Sequence, residues 1–143
     1  MREALAAAAE AAAAGDVPVG AVVIRDGAVL TRASNRTVRD QDSTAHAELL
    51  AIREASRLVG RWRLEDCTLV VTLEPCAMCA GAVVLSRLGR LVFGAWDDKA
   101  GMAGSVGDIV RHPRLNHRPE VLAGVMAEEC GELLAEFFRD RRS

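Results

Sequence analysis

The chain reads as an α/β protein, a three-layer α/β/α sandwich around a central mixed sheet of five strands. Three observations predict this. Helical and strand-like stretches alternate from residue 2 to residue 141 instead of segregating into separate halves. The run Thr68-Leu69-Val70-Val71-Thr72-Leu73 lacks the polar alternation of a half-exposed strand, so it belongs in the middle of a sheet covered on both faces. Two short stretches rich in metal-binding side chains, Thr44-Ala45-His46-Ala47-Glu48 and Pro75-Cys76-Ala77-Met78-Cys79, each fall at the start of a helical pattern, the second directly after that strand.

Taken in order, residues 2–14 are mostly alanine with Leu5 and the charges Arg2, Glu3 and Glu10, a helix by propensity that Gly15 closes. Glu3 and Glu10 interrupt the alanines and no leucine-rich centre is present, which argues against a secretion signal. Asp16 and Pro18 form a turn. Gly20 to Ile24 is a short strand, Asp26-Gly27 a tight hairpin turn, and Ala28 to Ala33 the returning strand. A polar loop runs from Ser34 to Ser43. Ser43 or Thr44 is suited to cap the next helix, whose apolar positions Leu49, Leu50, Ile52, Ala55, Leu58 and Val59 lead to Gly60. After the central strand, Pro75 suits the first position of a helix that continues through Leu85. Arg90 to Ala95 is a fourth strand, residues 96–104 a glycine-containing loop, Glu120 to Ala123 a fifth strand, and 127–141 a terminal helix with Cys130, Leu133, Leu134, Phe137 and Phe138 at helical spacing. Phe137 and Phe138 are separated by about 100° on that helix, so one faces the core and the other faces outward.

At 143 residues, half of them hydrophobic, the chain has the size of a single domain, residues 1–143. No apolar run is long enough to cross a bilayer, and a cytoplasmic location is expected. Of the four cysteines, two form a CxxC, which favours metal binding over a disulfide framework. The formal net charge of -2 does not mark a nucleic-acid binder, so a polyanionic partner would have to meet local patches. Arg111, His112, Arg114, His117 and Arg118 form one such patch and Arg139, Arg141 and Arg142 another, although a solvated surface explains each arginine taken singly.

His46, Cys76 and Cys79 offer three of the four donors of a tetrahedral zinc shell, which leaves one position for water; zinc lowers the pKa of such water to roughly 7. Glu48 follows the histidine closely without being needed as a ligand, the place of a general acid/base. A structural zinc site would need a fourth protein ligand, for which Cys67, Cys130, His112 and His117 are the candidates. Glu48 alone would be an ordinary charge at a helix start, and Asn35 alone an ordinary turn residue. Trp96 suits a stacking platform for a base equally with a core or dimer contact.

The HAE and PCxxC segments resemble the cytidine deaminase superfamily. Their flanks are similar to the bacterial tRNA adenosine deaminases: Asp16 to Val22, the Asn35 loop, Ala80-Gly81-Ala82, Val92 to Ala95, Leu115 to Arg118 and Phe137-Phe138-Arg139. The resemblance covers nearly the whole chain. It implies a cytidine deaminase-like sandwich with one zinc ion per subunit, and hydrolytic conversion of the wobble adenosine in a tRNA anticodon to inosine, the nucleotide being turned out of its loop. It further implies His46, Cys76 and Cys79 as metal ligands, Glu48 as the catalytic proton carrier, and Asn35 and the backbone of Ala47 as contacts to the purine. Asp97, Lys99, Phe138 and Arg141 would contact neighbouring nucleotides. The partners implied are the tRNA anticodon stem-loop and a second copy of the chain in a homodimer. Two positions depart from the family pattern: Ser43 stands where proline is common, and Met102 where a smaller residue is usual, with an expected effect on the helix start and the RNA rim. The rival readings are a deaminase of free bases or nucleosides and a non-enzymatic zinc-stabilised binding module.

Overall fold

The structure is a computed structural model and describes residues 1–142. Its elements are α1 (Arg2–Ala13), β1 (Gly20–Arg25), β2 (Ala28–Ser34), α2 (Ala47–Val59), β3 (Cys67–Leu73), α3 (Ala77–Leu85), β4 (Arg90–Ala95), β5 (Glu120–Leu122) and α4 (Ala127–Arg142). The strands form one sheet in the order β2-β1-β3-β4-β5. β1 runs antiparallel to both β2 and β3, whereas β3–β4 and β4–β5 are parallel, so the sheet is mixed as the sequence predicts. β3 is the central strand, and it is there that the antiparallel half meets the parallel half.

Alternate residues along the strands divide the core into two layers. Ala21, Val23, Leu69, Val71, Leu91 and Phe93 face the α2 and α3 side, packed with Ala51, Ala55 and Val83. Val22, Val70 and Val92 face α1, meeting Ala4. α4 lies on this second side against β4, where the Cβ of any residue but glycine at position 94 would sit 2.4 Å from Cys130 Sγ.

The alanine face of α1 has a specific cause. Ala4, Ala7, Ala8 and Ala11 are fully buried, and a Cβ at Gly20 would lie 2.0 Å from the Ala4 carbonyl oxygen and 2.5 Å from the Ala8 nitrogen. Helix backbone and strand backbone are therefore in direct contact, which only Gly opposite Ala allows. The Gly20 N–H donates to Thr72 Oγ1 at 3.2 Å, which ties β1 to the end of β3 just before the metal-binding loop.

Both helices at the site begin differently from the sequence expectation. Neither Ser43 nor Thr44 caps α2; Thr44 donates to Asp42 Oδ1, and His46 is the N-cap in an extended conformation. Pro75 likewise precedes α3, whose N-cap is Cys76 and whose first residue is Ala77. In each case a potential metal ligand occupies the N-cap, the place where local side-chain rules favour Ser, Thr, Asp or Asn. On α2, Ala47, Ala51, Ile52 and Ala55 are buried, whereas Leu58, expected on the apolar face, is half exposed.

Candidate metal centre and active site

The end of β3 delivers Glu74, Pro75 and Cys76 to the base of the sheet's parallel half, and the start of α2 delivers His46 and Glu48 opposite them. His46 Nδ1 lies 3.6 Å from Cys76 Sγ and 3.6 Å from Cys79 Sγ. Zinc at about 2.3 Å from sulfur and about 2.0–2.1 Å from nitrogen, with tetrahedral angles, requires an N···S separation of about 3.5 Å. The donors thus fit a zinc-sized ion in both type and spacing. Among the described residues this is the one group of three or more His, Cys, Asp or Glu side chains able to hold a metal.

The four candidates for a closing fourth ligand lie elsewhere. Cys67 is at the other end of β3 beside Asp66, and Cys130 packs under Gly94. His117 Nε2 is 2.7 Å from the Leu88 carbonyl, and His112 Nδ1 accepts from the Arg114 N–H. The arrangement is an open one, with room for a reacting group beside three protein donors.

The groups of the cluster shift one another's protonation. Interaction with the Cys79 thiol, and next with His46, brings the pKa of Cys76 down to about 3. Cys79, hydrogen-bonded to Cys76 and buried, is pushed up, and His46 is raised chiefly by Cys76. Glu48 is 4 % exposed, and burial raises its pKa to about 7. A carboxyl poised near neutrality is equipped both to take up and to release a proton.

Beside the cluster is a cavity of about 160 Å³ whose walls include Asn35, His46, Glu48, Cys76 and Asp97. It opens onto a shallower groove of about 410 Å³ that shares Val17, Leu73, Asp97 and Ala100 and adds Trp96, Lys99, Leu134 and Phe138. Of the residues singled out from the sequence, Asn35 lines the cavity, Asp97 stands between cavity and groove, and Lys99 and Phe138 line the groove. Ala47 is fully buried and is not among the lining residues. Arg141 lies away from both, its guanidinium 4.0 Å from the Phe137 ring centre. Phe137 is buried and Phe138 is 44 % exposed. Met102 points inward, against Gly107 and the core, and not into the groove. In the basic loop, Arg111 pairs with Asp108, and Arg118 donates to the Leu115 carbonyl, so these arginines serve the loop's own shape.

Residues 1–142 match the family model of the MafB19-like deaminases. The tRNA-specific adenosine deaminase of Bacillus subtilis (strain 168) is 51 % identical over 142 residues, 99 % of this chain and 88 % of that protein. The chain is a member of the tRNA-specific adenosine deaminase family. The enzyme of the same description from Haemophilus influenzae is 46 % identical over 99 % of this chain and 83 % of its own length. A solved structure from studies of A-to-I editing by tRNA:A34 deaminases at the wobble position of transfer RNA superposes with a TM-score of 0.90 at 42 % identity, covering 94 % of this chain and 97 % of that one. The guanine deaminase of Nitrosomonas europaea shares the fold at a TM-score of 0.77 and 29 % identity, over 94 % of this chain and 80 % of its own. The resemblance read from the sequence and the α/β sandwich both hold.

Two further residues of this deaminase shape the site, Asp16 and Glu74, to neither of which the sequence alone assigns a role there. Asp16 is fully buried; its carboxylate accepts from the Val38 N–H at 2.7 Å, the Arg39 N–H at 3.2 Å and Arg39 Nε at 2.8 Å. Arg39 in turn donates to the Asn35 carbonyl at 2.6 Å, so Asp16 fixes the loop that carries Asn35. Burial pushes the Asp16 pKa up, but these donors outweigh it and hold the carboxyl below its ordinary range. Glu74, also buried, does the same for the loop on the other side of the cavity, with burial again opposed and exceeded by its N–H donors. Their partners lie about twenty to thirty residues downstream, beyond the reach of any local sequence signal.

Proposed function

We infer that this chain converts the wobble adenosine of a tRNA anticodon to inosine by hydrolytic deamination, releasing ammonia. It acts in the cytoplasm as one deaminase domain spanning residues 1–143, with one zinc ion per subunit held by His46, Cys76 and Cys79. The observation that carries this reading is the pairing of a small cavity with a larger, more open groove beside it. A volume of about 160 Å³ is well below that of a typical pocket for a whole small molecule and suits a single base. Ribose and phosphates then remain outside, in the groove with Phe138, Trp96 and Lys99. This is the division expected for an enzyme that acts on a base turned out of a nucleic acid.

When bound, zinc supplies activation of water as a nucleophile near neutral pH. The chain's own residues do the rest, along the course known for zinc nucleobase deaminases. Glu48 takes one proton from the attacking water and delivers it to ring N1, then carries the second, from the hydroxyl now on C6, to the departing amino group, so that the C6–N bond breaks as C6=O forms and ammonia leaves. Its buried position keeps bulk water from competing for that proton. Asn35, 5 % exposed with Nδ2 committed to Thr37 Oγ1, is placed to hydrogen-bond an edge of the purine. Asp97, Lys99 and Phe138 meet the flanking nucleotides in the groove, Phe138 by stacking. Ala47 contributes through its backbone at the helix N-terminus, and Arg141 meets the RNA by swinging its guanidinium off the Phe137 ring, against which it rests in this structure.

Incubation with anticodon stem-loop RNA, in parallel with free adenine, guanine, cytosine and cytidine, is expected to yield inosine from the RNA alone. Turnover of a free base without turnover of the RNA would overturn the assignment.

The enzyme is proposed to work as a homodimer. Trp62 and Leu85 are 60 % and 71 % exposed and line an apolar groove with Ile52 and Ala82, a surface that a second copy would cover. Sedimentation of the parent at dimer mass and of Leu85→Glu at monomer mass is the expected result. A parent that sediments as a fully active monomer would contradict it.

A further inference from the structure

We propose that Glu74 is a positioning residue that sets the shape of the substrate rim, residues 97–105, and thereby the affinity for RNA, without itself reacting. This rests on the functional reading above. Glu74 is 1 % exposed, and both oxygens of its carboxylate are taken by one loop. Oε1 accepts from the Asp97 N–H at 2.9 Å and from the Ser105 hydroxyl; Oε2 accepts from the N–H groups of Ala103 and Ser105, each at 3.0 Å. The next residue adds a further tie, since the Pro75 carbonyl accepts from the Met102 N–H at 2.8 Å. No lysine or arginine among the described residues forms an ion pair with Glu74. A buried carboxylate held only by neutral donors needs several of them at once, so its charge draws the two ends of the loop together.

The loop is built to admit this carboxylate. A Cβ at Gly101 would lie 2.3 Å from both Cδ and Oε1 of Glu74 and 2.6 Å from the Asp97 carbonyl, so no larger residue fits between them. The Asp97 side chain, at the boundary of cavity and groove, is then oriented by its own turn, with Oδ1 accepting from the N–H groups of Lys99 and Ala100 at 3.0 and 3.2 Å. The positions of Asp97 and Lys99, which face the substrate, follow from a group in the wall of the inner cavity whose carboxylate oxygens are turned to the loop and shut off from solvent.

Glu74→Gln, Glu74→Asp and Ser105→Ala in the zinc-loaded, full-length enzyme test this. Glutamine turns an amide NH₂ toward N–H donors and loses two of the four bonds, whereas aspartate keeps the charge on a shorter stem. In Glu74→Gln, amide hydrogen exchange at Asp97, Ala103 and Ser105 is expected to quicken about tenfold or more without RNA, at unchanged zinc content. KM for the anticodon stem-loop is expected to rise by about tenfold with a smaller change in kcat, Glu74→Asp falling between it and the parent. Parent-like exchange and KM in Glu74→Gln would refute the proposal. Should that variant not fold, Ser105→Ala decides: faster exchange at Asp97 with raised KM supports the proposal, and parent-like values refute it. If the parent makes no inosine from RNA, the functional reading fails separately, and the exchange measurement still decides whether Glu74 holds the loop.

Discussion

Glu48→Gln is expected to lower kcat for inosine formation by ~10²–10⁴-fold, the usual contribution of a general acid/base, while KM, zinc content and fold stay close to those of the parent. The substitution is nearly isosteric at a position that is 4 % exposed in the first turn of α2, and it breaks no ion pair among the described residues. What it removes is a carboxyl whose pKa burial has raised to about 7, the property that lets one group receive a proton and return it within a single turnover. Steady-state kinetics on the anticodon stem-loop, with metal content measured alongside, reads the effect directly. Full activity in this variant would sink the assigned role.

Loss of the metal is expected to abolish activity altogether. Cys79→Ala deletes one of three donors at a fully buried position of α3, and the two that remain, His46 and Cys76, stand at the N-caps of separate helices with no further metal-binding group among the described residues to complete the shell. Zinc content is expected to fall from one per chain to near zero, with inosine formation at background. Chelator treatment of the parent should give the same result, reversed by added zinc. Because bound metal stabilises only the folded form, Tm should fall on chelation and recover with zinc. Undiminished activity in metal-free protein would contradict the mechanism.

The parts of the fold that were legible in the sequence are those whose cause is local or periodic. β3 reads as central because a strand covered on both faces carries apolar residues on both, and Asp26-Gly27 marks the β1–β2 hairpin through turn chemistry alone. The alanines of α1 also read as a helix, but the reason for alanine did not, since it lies in the contact with Gly20 of β1. The helix starts differ from the local signals for a related reason. Local rules favour Ser43, Thr44 or a first-position Pro75, whereas the metal geometry places His46 and Cys76 at the caps. At the site, the chemistry of His46, Glu48, Cys76 and Cys79 could be read from residue type and spacing. The supports Asp16 and Glu74 could not, because a buried carboxylate that serves distant main-chain N–H groups leaves no pattern in its own neighbourhood.

That choice of partner has an evolutionary consequence. Three of the four bonds that Glu74 receives come from the main chain, which every residue other than proline supplies. The side chains of Asp98 and Lys99 are exposed and make none of these bonds, so their identities can drift without undoing the loop's backbone course. A catalytic centre fixed by a few contacts of set geometry, beside a rim whose backbone is held but whose exposed side chains are not, is an arrangement in which new substrates can be explored one surface substitution at a time.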